Sequence, residues 1–152
     1  MEYQSPIFRF NHTPIELPFQ GKIVFTNGVF DILHAGHVNY LIDAAKLGDH
    51  LIVGVNSDAS VRTLNKAPNR PIIPEQQRAE LIAALKCVSA VVLFNESTPL
   101  ELIQVIQPAV LVKGGDYTFN TIVGAEFVQG LGGTVTTIPL TEGFSTTAII
   151  QK

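Results

Sequence analysis

Three residue types are all but missing from this chain of 152 residues, which has one cysteine, one methionine and no tryptophan. The single thiol, Cys87, excludes an intrachain disulfide and any cysteine-rich metal centre. Lying in the mostly apolar run Leu81–Val88, it reads as a small buried hydrophobe. No stretch of about 18 uncharged apolar residues occurs, so no membrane span or membrane partner is expected. The first residues, MEYQSPIFRF, lack the apolar segment of a signal peptide, and a cytoplasmic protein is expected. A strong charge of one sign is missing too. The net charge is −3, with Lys and Arg scattered, which speaks against a sequence-independent nucleic-acid binder. Apolar residues dominate instead, at 46% against 15% charged, in a length suited to one domain with one substantial core.

From Lys22 onward, apolar runs of strand length alternate with longer helical patterns. Ile23–Thr26, Leu51–Val55, Val91–Phe94, Val110–Val112 and Val135–Ile138 are short and continuously apolar, as strands covered on both faces of a parallel sheet must be. Between them, helices are predicted near Ala35–Leu47, Pro74–Cys87, Pro99–Ile106 and Ile122–Leu131. Gly48 is read as the stop of the first. The alternation predicts right-handed crossovers and a doubly wound α/β sandwich on a five-stranded parallel sheet. Residues 1–20 break the pattern with Pro6, Pro14 and Pro18 and read as an irregular N-terminal arm, the domain proper being 21–152. Phe8, Phe10 and Phe19 would pin that arm to the body or to a second subunit.

In such sheets ligands bind beyond the carboxyl ends of the strands, and polar residues gather there. Thr26-Asn27-Gly28 follows the first strand, and His34 and His37 stand three apart at the next helix start, on one face. Gly28 permits close backbone approach, and Gly36 leaves the helix N-terminus uncluttered. Helix N–H groups and two imidazoles suit a polyphosphate whose charge grows on a bridging oxygen. One histidine capping a core hydrogen-bond network, with the other solvated, is the plainer alternative. Zinc is not expected, since neither a third histidine nor an H-E-x-x-H pattern accompanies the pair.

Gly143-Phe144-Ser145-Thr146-Thr147 opens the apolar run 148–150, and three hydroxyls after Gly exceed what one cap needs. They are read as a phosphate site, with a capped helix as the alternative. Lys113-Gly114-Gly115-Asp116-Tyr117 offers a cation, exposed N–H groups and a ribose acceptor in Asp116, though the same residues suit a tight turn. The segment 56–78, read as a loop, carries Arg62, Lys66, Arg70 and Arg78. Arg62 and Lys66 have a solvated reading beside the functional one. Arg70 and Arg78 are read as anion clamps, and Asp31, Asn56 and Asp58 join them as candidates for the sugar-phosphate side.

Gly28-Val29-Phe30-Asp31 followed by His34-Ala35-Gly36-His37 resembles the G-x-F-D…H-x-G-H motif of the cytidylyltransferase-like nucleotidylyltransferases. The resemblance implies a Rossmann-like three-layer α/β/α fold that joins a nucleoside triphosphate to a phosphorylated small molecule and releases pyrophosphate. It implies a requirement for Mg²⁺, held mainly by the triphosphate without a protein ligand, and no covalent intermediate. His34, His37 and Lys113 would carry catalysis. Thr26, Asn27, Gly28, Phe30, Gly36, Gly115, Asp116, Ser145, Thr146 and Thr147 would bind nucleotide and phosphate.

Within that superfamily, TNGVFDILHAGHVNYL, VGVNSDASVR, RPIIPEQQRAELIAAL, LVKGGDY, IVGAEFV and GFSTTAII look like the heptose-1-phosphate adenylyltransferases, from about Lys22 to Gln151. ATP and a sugar 1-phosphate are therefore the expected partners, and ADP-heptose for lipopolysaccharide core supply the expected product. Three features depart from the pattern. Val29 stands where many relatives have Cys, the arm matches nothing, and Leu140-Thr141 stands where cytidylyltransferases often carry Arg. No sugar-kinase segment accompanies the match, so a stand-alone form is expected. Family habit and the apolar arm suggest a homodimer. The alternatives are a cytidylyltransferase acting on a polyol or amino-alcohol phosphate, and a non-catalytic nucleotide-binding regulator.

Overall fold

Strands that are apolar at every position need cover on both faces, and the computed structural model provides it. It describes residues 3–64, 68–115, 117–140 and 145–151. The elements in chain order are β1 (Ile7–Arg9), β2 (Ile23–Gly28), α1 (Ala35–Ala45), β3 (His50–Asn56), α2 (Asp58–Thr63) and α3 (Glu75–Ala83). They continue with β4 (Ala90–Phe94), α4 (Leu100–Ile106), β5 (Val110–Gly114), a 3₁₀ turn at Phe119–Thr121, α5 (Ala125–Gly130), β6 (Thr134–Ile138) and α6 (Thr146–Ile150). The strands form one parallel sheet in the order β1-β4-β3-β2-β5-β6. Successive side chains point to opposite faces. Val24, Leu51, Val53, Val91 and Val112 therefore pack with Leu41, Ala44 and Ile82 of α1 and α3 on one side. Phe25, Ile52, Val92 and Leu111 pack with Leu102, Ile103 and Val128 of α4 and α5 on the other. The result is the Rossmann-like three-layer sandwich.

The sheet has six strands, not five. The additional strand, β1, lies in the arm read as irregular, paired with β4 through Ile7↔Val91, Phe8↔Val92 and Arg9↔Leu93. The pairing continues as Val91 N–H donates to Pro6 O and Phe10 N–H to Leu93 O. Phe10 is buried, with Phe8 and Phe19 packed on the same cluster, so the arm is pinned to its own body. That removes the arm as an argument for a second subunit. A second difference is α2, inside the stretch read as a loop, with Ser57 Oγ accepting from Ser60 N–H as its cap. Gly48 differs as well. Its φ is not left-handed; a Cβ there would lie 2.7 Å from both Lys22 O and Val24 Cγ2, so close approach is what demands glycine. Among the described residues no helix is long and apolar enough to cross a membrane.

The sheet reverses its winding direction between β2 and β5. Six residues of β2 pair with β3, but only Val24↔Val110 and Phe25↔Leu111 connect β2 with β5. Beyond those pairs the two strands part, and a crevice opens at their carboxyl ends, the usual ligand position in an open α/β sheet.

Candidate active site

A cavity of about 330 Å³ fills that crevice. One wall is the β2–α1 turn. His34 is the N-cap of α1 in extended backbone, and its ring and that of His37 form a reciprocal capping box. His37 N–H donates to His34 Nδ1 at 3.4 Å and His34 N–H donates to His37 Nδ1 at 3.3 Å. The two rings stack with centroids 3.7 Å apart. Because both Nδ1 atoms accept, each neutral ring carries its proton on Nε2, the nitrogen turned away from the helix backbone. Burial lowers the pKa of both, and burial together with the neighbouring His34 brings His37 down to about 4. Both imidazoles are thus neutral N–H donors at neutral pH, beside a helix N-terminus that favours anions. The capping box is a role that the sequence reading did not include.

Phe30 shapes the turn with φ +52, a left-handed conformation uncommon outside glycine, and its ring meets His37 edge-on at 5.2 Å. A Cβ on Gly28 would lie 2.9 Å from that ring, which is why glycine is required there. Asn27, Gly28, Phe30 and Gly36 all line the cavity.

The opposite wall comes from β5 and the C-terminal segment. Lys113 and Gly114 line it, with Lys113 Nζ 5.4 Å from the Tyr117 ring centroid. Gly115 holds φ +97 and donates its N–H to Ile138 O, while Asp116 lies outside the described residues. Ser145, Thr146 and Thr147 line the same cavity. Ser145 Oγ also accepts from Ala148 N–H as the cap of α6, and Thr146 Oγ1 donates to Ile32 O. Thr141, Gly143 and Phe144 lie outside the described residues. A smaller hollow of about 110 Å³ shares Asn27, Lys113 and Tyr117 and reaches Thr121 and Val123.

Arg70 reaches the cavity through Asp31. The Asp31 carboxylate accepts from Arg70 Nε at 2.5 Å and from the N–H groups of Ile72 and Ile73, both at 2.9 Å. Burial pushes its pKa up, but the Ile73 and Ile72 amides and the Arg70 guanidinium outweigh burial and hold it below the usual range. Asp31 is therefore an anchor for the 70–73 segment rather than an anion contact.

Four further site expectations are corrected. Arg78, read as an anion clamp, is fully buried outside the cavity. Its Nε donates to Ile73 O at 2.8 Å, Nη1 to Val29 O at 2.7 Å and Asn56 O at 2.8 Å, and Nη2 to Asp58 Oδ1 at 2.8 Å. Asn56 Nδ2 donates to Ser60 Oγ, and Asp58 pairs with Arg78. These three residues form an internal bracket beneath the active turn. Thr26, read as a nucleotide contact, is also buried. Its hydroxyl lies 2.6 Å from Tyr40 Oη and donates to Val112 O at 3.0 Å. Tyr40 was not among the sequence candidates. Its position three residues after His37, on the same helix face, is the signal that would have found it.

Comparisons with known proteins agree with this arrangement. The cytidylyltransferase-like family pattern matches residues 25–152. The Bifunctional protein HldE of Syntrophotalea carbinolica is 57% identical over 134 residues, covering 88% of this chain and 27% of that protein. Its namesake in Trichlorobacter lovleyi is 58% identical over 131 residues, covering 86% and 26%. The chain thus spans about a quarter of the length of these curated relatives. Among solved structures, the lipopolysaccharide core biosynthesis protein from Thermoplasma volcanium superposes with a TM-score of 0.64 at 34% identity, covering 80% of this chain and 98% of that one. Sheet order, switch-point cavity and histidine-capped helix start coincide with a match spanning five-sixths of the sequence: the chain belongs to the cytidylyltransferase-like family.

Proposed function

We propose that this chain is a nucleotidyltransferase of the adenylyl type, joining ATP to D-glycero-D-manno-heptose 1-phosphate to give ADP-heptose and pyrophosphate for lipopolysaccharide core supply. One observation carries the chemistry: two neutral Nε2–H imidazoles at the α1 N-terminus share a cavity with Lys113 and the Ser145–Thr147 hydroxyls. A phosphate oxygen of the sugar phosphate attacks the α-phosphorus in line, the bond from that phosphorus to the bridging oxygen breaks, and pyrophosphate leaves with the electron pair. His34 and His37 donate toward the charge that grows there, Lys113 and Arg70 neutralise it, and the hydroxyls hold the outer phosphates.

Asp31 is the carboxylate among the described residues of the cavity lining, and its oxygens are engaged by Arg70, Ile72 and Ile73. A donor set of imidazoles, cations and hydroxyls suits phosphate oxygens, so Mg²⁺ would be held by the triphosphate rather than by protein ligands. When bound, it would supply further charge neutralisation at the phosphates. The choice of ATP and heptose phosphate rests on the segment resemblance, and the two bifunctional relatives and the lipopolysaccharide-core structure support it. A homodimer rests on the resemblance alone.

Pyrophosphate release from ATP or CTP, each paired with heptose 1-phosphate or glycerol 3-phosphate, tests the reading. ATP with the heptose phosphate is expected to lead every other pair by at least about tenfold. Faster release from CTP with glycerol 3-phosphate would replace it with the cytidylyltransferase reading, and tight ATP binding without release under any pair would overturn both.

A further inference from the structure

The two walls of the cavity are carried by different elements, α1 and β5, and one chain of hydroxyls connects them. The β2–β5 ladder stops at Phe25↔Leu111. At the next position along β2 the Thr26 side chain takes over, donating its only hydroxyl hydrogen to Val112 O at 3.0 Å. Tyr40 must therefore be the donor in the 2.6 Å contact between the two hydroxyls. Val112 immediately precedes Lys113, and Tyr40 lies one turn after His37 on the same face of α1. The Tyr40 ring also lies against β5, since a Cβ on Gly114 would sit 3.2 Å from its Cε2. Burial raises the Tyr40 pKa to about 12, against the smaller lowering by Thr26, so the hydroxyl keeps its proton and its donor role across the working pH range.

We propose that Thr26 and Tyr40 are positioning residues that fix the rotation of α1 against the end of β5, and hence His34 and His37 against Lys113. The inference rests on the proposed nucleotidyl transfer for its kinetic consequence, though not for its structural one.

Tyr40→Phe is expected to lower kcat about tenfold while the KM for ATP stays within about twofold, because misplacement affects the transition state more than ground-state binding. The imidazole NMR signals of His34 and His37 should shift in the same variant. Thr26→Val should lose at least as much, Thr26→Ser should restore most of it, and Tyr40→Phe added to Thr26→Val should cost little more. A lower melting temperature with kcat and the imidazole signals unmoved overturns the proposal, as do independent, additive losses. If Thr26→Val fails to fold, Tyr40→Phe and Thr26→Ser decide. If the wild-type chain releases no pyrophosphate, the functional reading fails, and the imidazole signals alone decide the positioning role.

Discussion

The His34–His37 turn and the Asn56–Asp58–Arg78 bracket lie at the carboxyl ends of adjacent strands, and both are rich in polar side chains. In the bracket, Arg78 sends its donors to three backbone carbonyls and one carboxylate and is fully buried. In the turn, each imidazole spends one nitrogen on its neighbour's backbone N–H and keeps a proton on the other. What separates a structural polar cluster from a chemical one is therefore not composition but whether its side chains line a cavity. The bracket is closed on itself and holds the turn in place, whereas the turn faces a cavity.

That contrast can be broken experimentally. The largest effect is expected from Arg78→Met, which leaves Val29 O, Asn56 O, Ile73 O and the Asp58 carboxylate without their donor. Urea denaturation should show a loss of about 3 kcal/mol or more, because removing one partner of a buried pair strands the other. Unchanged stability with weakened substrate binding would return Arg78 to the anion-clamp role.

His37→Ala should show the opposite profile, with turnover down about 10²-fold and stability down by only about 1 kcal/mol, the usual cost of a lost helix cap. Turnover near wild type in a folded variant would end the mechanism proposed above. Asp31→Asn should lie between the two. The Arg70 segment loosens, and a rise of about tenfold in the KM for the phosphorylated substrates is expected alongside a modest stability loss; an unchanged KM would make Asp31 purely structural.

The smallest effect concerns pH. His37 has a folded pKa near 4 against 6.5 unfolded, so the unfolded chain binds more protons between those values. The stability tied to its neutral form is complete above about pH 6.5 and is lost as pH falls toward 4. His34 shifts in the same direction. Melting temperature should decline over that window and decline less in His37→Gln; an identical slope would mean that the imidazole titrates normally.

Much of the architecture was legible because strands buried on both faces leave an unbroken apolar signature, as Leu51–Val55 and Val91–Phe94 do. The histidine pair was legible because its spacing places both rings at one helix start. The 7–9 strand was not, since three residues carry no period and owe their conformation to pairing with β4. Nor was α2, a six-residue helix whose Val61 and Thr63 are poor helix formers and whose cue is the Ser57 cap. Arg78 was misread because charge next to a proline-rich segment suggests solvent or ligand. Which carbonyls need a donor depends on the ends of β2 and β3 and the segment before α3 meeting in space. Tyr40 escaped notice because a tyrosine within an apolar helix face looks like ordinary core until Thr26 is found opposite it.

The arm's pairing with β4 has a consequence for how the molecule meets its own copies. β4 is buried along its whole length, and without Ile7–Arg9 its outer backbone groups would form an open template for strand addition. With β1 in place the outermost edge shrinks to three residues, preceded by Pro6 and ending at Arg9, which is ion-paired to Glu75. A short edge bounded by proline and charge makes a poor seed for edge-to-edge growth, and a chain shorn of residues 3–12 is expected to self-associate through β4.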